Sequence, residues 1–153
     1  MITVINKQHK IKVDTKVLKN DARHILGILN YADYDLGIWL TDNSLIQQYN
    51  KEYRNKDKPT DVLSFSYHKL KPGEQIQPKT NEDKNLGDIM ISVEHVKEEY
   101  PKTFEDRVSI LLIHGICHLL GYDHQTDEEY AQMKEMEDDL REKLALNSNS
   151  KKQ

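Results

Sequence analysis

The segment HGICHLLGYDH, residues 114–124, holds three of the chain's seven histidines. On an α-helix, residues four apart lie on one face about 6 Å apart along the axis, so His114 and His118 can aim their rings at one point. Gly121 suits the left-handed conformation that ends a helix and reverses the chain, and that reversal can return His124 over the first two rings. A single histidine on an apolar helix is ordinarily a hydrogen-bonded core residue. Three together are costly to desolvate unless they share a partner, and three neutral imidazoles suit zinc or another borderline transition metal. Three protein ligands also leave a fourth position open, which separates catalytic zinc from structural zinc and lowers the pKa of bound water to about 7.

The residues between the histidines narrow the chemistry. Cys117 lies about 60° around a helix from His114 and about 100° from His118, which makes it a small buried apolar residue rather than a fourth ligand. Asp123 can hold a histidine ring from behind or cap the turn. The spacing matches the metallopeptidase pattern H-E-x-x-H-x-x-G-x-x-H, but Gly115 stands where those enzymes keep their general-base glutamate. Met133 and Met136 fall in a predicted helix rather than a Met-turn. Peptide hydrolysis therefore lacks its base.

Charge is unevenly distributed. The net charge of -4 excludes a protein that coats nucleic acid by bulk attraction. Residues 51–58, KEYRNKDK, nevertheless carry four basic side chains against two acidic ones, whereas 127–142, DEEYAQMKEMEDDLRE, carry eight acidic against two basic. An anionic partner is steered toward the first segment. An arginine fork there can bind two phosphate oxygens at once, so Arg54 is either a solvated helix-end charge or a phosphate-binding group, and Lys56 and Lys58 are either phosphate-positioning groups or plain surface lysines.

These groups need a scaffold. A chain of 153 residues fits one domain with one core. Residues 2–5 and 10–13 read as one or two short edge strands. Asp14 caps a helix from Thr15 to Asn30 whose core face includes Val17, Leu18, Ile25, Leu26 and Leu29. A strand signal follows at 34–41. Asp42 or Ser44 then caps a helix to about Tyr53, with Leu45, Ile46 and Tyr49 inward. DVLSFSY (61–67) and LGDIMIS (86–92) are further strands, separated by a polar loop, 68–85, broken by Pro72, Gly73 and Pro78. A loop of that length is expected to be a lid, a binding loop or disordered. Ser92 caps a short helix through Tyr100. Thr103 with Asp106, and Thr126 with Glu129, read as capping boxes. The first opens a central apolar helix, 104 to about 120, that carries two of the histidines; the second opens a last helix to about Leu146.

The predicted class is α+β: a small mixed sheet of about four strands packed with helices, as one domain over 1–146 with a disordered tail over 147–153. The start of the chain lacks the features of a secretion signal, no stretch approaches the roughly 18 apolar residues of a membrane span, and the lone Cys117 suits a reducing compartment. A soluble, cytoplasmic protein is expected.

Three ordered stretches carry a resemblance. Residues 114–124, read as H-G-x-x-H-L-x-G-Y-D-H, resemble the signature of the YbeY family of endoribonucleases, or rRNA maturation factors. YRNKDKPTDVLSFS (53–66) resembles that family's Y-R-x-K-D-x-P-T-D-V-L-S-F segment, and LGDIMIS its L-G-D-I-x-I-S strand. The resemblance spans essentially the whole domain. It implies a zinc ion held by His114, His118 and His124, a functional Arg54 and cleavage of single-stranded RNA. It further implies maturation of the 16S rRNA 3′ end, ribosome quality control, and partners among the small ribosomal subunit, its proteins and a ribosome-assembly GTPase, with no role on DNA. The alternative is a ribosome-assembly RNA-binding module with a structural zinc. Two features depart from the family's pattern: Cys117 replaces a more usual leucine, and the 68–85 loop is long.

Overall fold

A computed structural model describes the backbone of residues 1–152 and the side chains through residue 145. Four strands, β1 (Ile2–Asn6), β2 (Asp35–Thr41), β3 (Val62–Ser66) and β4 (Asn85–Ser92), form one sheet in the order β1-β2-β4-β3. β1, β2 and β4 run parallel, and β3 pairs antiparallel with β4 as an edge strand. The helices are α1 (Thr15–Ile28), α2 (Asn43–Arg54), α3 (Val93–Glu99), α4 (Phe104–Leu119) and α5 (Asp127–Lys152). The architecture is the expected α+β class with a mixed four-stranded sheet.

Strand alternation divides the interior between two faces. Leu36, Ile38 and Leu40 of β2 and Ile89 and Ile91 of β4 enter the main core with α1, α4 and α5. Met90 and Leu63 face the other way, onto Ile46 of α2, with Trp39, Tyr49 and Phe65 packed around them. α4 is the central helix: Val108, Leu111, Leu112, Ile113, Ile116 and Leu119 are all buried, and so are Gly115 and Cys117. Being apolar nearly all round, it can pack on the sheet and on α5 at once.

Several local expectations change. Residues 10–13 form no strand. Gln8 ties them into a turn, its Oε1 accepting from the Lys10 and Ile11 amides and its Nε2 donating to the Ile11 carbonyl. Val17 is 54% exposed, because Leu18, Ala22, Ile25 and Leu26 define the buried stripe of α1 and Val17 lies a third of a turn away. Asp42, not Ser44, caps α2 by accepting the Leu45 amide. Thr103 occupies the cap of α4 without a side-chain bond, its backbone (φ -122°, ψ 30°) lying outside the extended conformation that capping uses. At α5, Thr126 Oγ1 accepts the Glu129 amide as expected, but Glu129 returns its bond to the Gln125 amide rather than to Thr126. The expected disordered tail, 147–153, lies outside the residues whose side chains are described. Among the described residues no helix is long and apolar enough to cross a membrane.

Candidate metal centre and anion cleft

The last turn of α4 positions two histidines and the turn after it positions the third. The Gly121 and Tyr122 amides donate to the His118 and Cys117 carbonyls, closing the helix end, and Gly121 adopts φ +99°. The chain then doubles back, so that one ring nitrogen from each of His114, His118 and His124 lies within 4.8 Å of the others. Ring centroids stand 4.6 Å apart for His114 and His118 and 5.1 Å for His118 and His124.

The hydrogen bonds behind the rings set their tautomers. His114 Nδ1 faces Glu137 Oε2 at 3.1 Å, and His118 Nδ1 faces the Tyr122 carbonyl at 2.9 Å. Both partners only accept, so both Nδ1 atoms carry the proton and both Nε2 atoms present lone pairs. Those two Nε2 atoms lie 3.1 Å apart. Two lone pairs at that distance repel unless a cation lies between them, and nitrogens on a tetrahedral zinc at about 2.0–2.1 Å stand about 3.3 Å apart. The donor set therefore fits a zinc-like ion. Burial, with the fields of His114 and His124, also pushes the His118 pKa down to about 4, which keeps the ring neutral and available as a ligand at neutral pH.

Cys117 adds no ligand. It is fully buried, and burial together with the nearby Glu137 pushes its thiol up to about 12. Asp123 Oδ1 accepts the His124 backbone N–H at 2.8 Å, and its charge also acts on the His118 ring. The groups hydrogen-bonded behind the His114 and His118 rings are Glu137 and the Tyr122 carbonyl.

The basic segment shares the site. A cleft of about 760 Å³ is lined by the three histidines and by Arg54, Lys56 and Lys58. Arg54 is the last residue of α2, and its Nη2 donates to the Ser64 carbonyl on the open edge of β3 at 3.0 Å. Asn55, left-handed at φ 58°, turns the chain out of α2, and the buried Asn50 donates to the Lys58 carbonyl at 2.9 Å, pinning the loop that carries both lysines.

Sequence reasoning missed Ser64 and Ser66, which line this cleft, and Glu137. The serines were legible in principle, as alternate residues of S-F-S on one face of β3. The 68–85 loop is a strap rather than a free lid. Ile76 is buried beneath it, the Tyr31 hydroxyl donates to Gln75 Oε1 and accepts the Ile76 amide, and His68 Nε2 bonds the Asp83 carbonyl at 2.7 Å. Its Leu70 carbonyl packs directly on Gly121, against the turn that delivers His124.

An α+β domain that gathers three histidines and a basic rim in one cleft has known counterparts. The Endoribonuclease YbeY family profile matches residues 3–145. A human protein named Endoribonuclease YbeY is 36% identical, over 99% of this chain and 93% of its own length. The Endoribonuclease YbeY of Sulfurihydrogenibium sp. (strain YO3AOP1) is 42% identical, over 92% of this chain and 91% of its own. The solution structure of TM1509 from Thermotoga maritima shares the fold, with a TM-score of 0.55 at 24% identity, covering 96% of this chain and 93% of that one. The chain belongs to the Endoribonuclease YbeY family.

Proposed function

We propose that this chain is a zinc-dependent endoribonuclease that cuts single-stranded RNA, with His114, His118 and His124 as ligands and Arg54 as the catalytic residue that meets the scissile phosphate. The observation that carries the reading is that one cleft brings together three inward-facing imidazoles and the cations of the 51–58 segment. The family's name supports the reaction class, and the lone pairs opposed at 3.1 Å support the metal.

Each residue's part follows from its chemistry. Zinc held by three imidazoles would supply an acidified water and a Lewis acid at its open position. Arg54 offers a planar fork for two non-bridging phosphate oxygens, whose charge grows as the phosphorus becomes five-coordinate. Its present bond is to a neutral carbonyl, Ser64 O, and an entering phosphate is the stronger acceptor. Lys56 and Lys58 hold flanking phosphates, which fixes the strand's register without reading its sequence. By resemblance to the family, the RNA is the 3′ end of 16S rRNA, the setting is cytoplasmic ribosome maturation and quality control, and the partners are small-subunit proteins and an assembly GTPase.

The test is a pair of variants assayed on single-stranded RNA with metal content measured in parallel. His114→Ala is expected to abolish cleavage and lower bound zinc; Arg54→Ala is expected to abolish cleavage, by about 100-fold or more, while zinc stays bound. Full activity in both purified variants overturns the assignment. The 3′ termini of the products, phosphate or cyclic phosphate against hydroxyl, distinguish attack by a ribose 2′-OH from attack by water.

A further inference from the structure

The acidic last helix brings one carboxylate to the histidine cluster. Met133 and Leu140 of α5 are buried and seven residues apart, and Glu137 lies between them at the i+4 position of the same stripe. A carboxylate in the middle of an apolar helix seam needs a partner, and its partner is His114 Nδ1 at 3.1 Å, with the two side chains only 25% and 21% exposed. His118 has a backbone carbonyl behind it, fixed by the turn itself. His114 depends on a side chain from another helix.

We propose that Glu137 is the positioning residue of the metal centre: it holds His114 as the Nδ1–H tautomer with Nε2 aimed at the shared point, and through it the docking of α5 is coupled to metal binding. The imidazole χ2 torsion is broad and roughly two-fold, so without this acceptor the ring can turn over and present its other nitrogen. A negative charge behind the ring also makes Nε2 a better donor to a cation. The path of the chain closes the circuit: from His124 it enters α5 at Asp127, and about 15 Å further along that helix Glu137 returns to His114.

The inference rests on the metal reading above, and the experiment separates the two. Zinc affinity is measured by competition with a chromophoric chelator for wild type, Glu137→Ala, Glu137→Gln and Glu137→Asp, with the visible absorption of the cobalt(II) forms recorded alongside. Glu137→Ala is expected to bind zinc about 10–100-fold more weakly, and its cobalt band is expected to shift. Zinc is also expected to raise its Tm less than that of wild type. Glu137→Gln keeps an acceptor oxygen at the same reach, so its loss is expected to stay below about tenfold. Glu137→Asp keeps the charge but withdraws the oxygen by one carbon, and it is expected to bind more weakly than wild type even if the alanine variant does not fold. Wild type that fails to bind zinc overturns the metal reading itself. Wild type that binds while the alanine or aspartate variant binds equally well overturns only the role of Glu137, and glutamine as weak as alanine overturns orientation through the hydrogen bond.

Discussion

The backbone of Gly115 lies against the side chain of Ile89: a Cβ on this glycine would stand 2.9 Å from Ile89 Cγ2. The residue after His114 thus faces the sheet rather than the metal ligands. The glutamate that metallopeptidases carry at this place would enter the core, and the carboxylate behind His114 comes instead from α5, as Glu137.

Gly115→Ala is accordingly expected to destabilise the protein despite alanine's better helix propensity. Overpacking costs about 1–3 kcal/mol and the propensity gain returns about 1, leaving a net loss of up to about 2 kcal/mol and a Tm lower by up to about 8 °C. Thermal unfolding in the presence of chelator checks this, and an unchanged or higher Tm would show that Ile89 yields.

Gly121→Ala is expected to be worse. A side chain is disfavoured at φ +99°, and its Cβ would collide with the backbone carbonyl of Leu70, which cannot rotate away as a side chain can. A loss above about 2 kcal/mol in urea unfolding is expected. Weaker zinc binding should accompany it, since this turn delivers His124.

The depressed His118 pKa makes stability depend on pH with a definite sign. The folded ring resists protonation down to about pH 4, whereas the unfolded ring takes a proton near 6.5. Between those values the unfolded chain binds more protons, so on this ring's account the chelator-treated protein loses stability as pH falls from 6.5 toward 4. Urea midpoints at several pH values check it. The part due to this ring should vanish in His118→Gln, and an equal slope in that variant would assign the effect to other groups.

Lys56 and Lys58 are expected to act by charge alone. Each substitution to alanine should weaken binding of an unstructured RNA and reduce the slope of log K against log salt by about 0.7, with no change in which sequences are cut. Equilibrium binding between 50 and 200 mM salt measures the slope, and a changed cleavage pattern at constant slope would mean that these lysines read bases.

What one stretch of chain could decide was legible in it. His114 and His118 follow from helical spacing, and the reversal toward His124 from Gly121, because an α-helix repeats every 3.6 residues and a glycine tolerates positive φ. The alternating strands, the capping roles of Asp14 and Ser92, and the choice of Asp42 or Ser44 at α2 were read for the same reason: each depends on neighbours a few residues away. Other features lay beyond those signals, some through local backbone geometry and hydrogen bonding and the rest through what packs against what. Thr103 lost its capping bond to local backbone geometry, and residues 10–13 lost their strand to the hydrogen bonds of Gln8. The 68–85 loop became a strap once Ile76 found the core and Leu70 found Gly121. Glu137 and His114 are 23 residues apart, and only the docking of α5 on α4 makes a solvated acidic run supply the carboxylate behind the His114 ring. Ligand spacing is a property of one helix, whereas the partner that orients a ligand is a property of two.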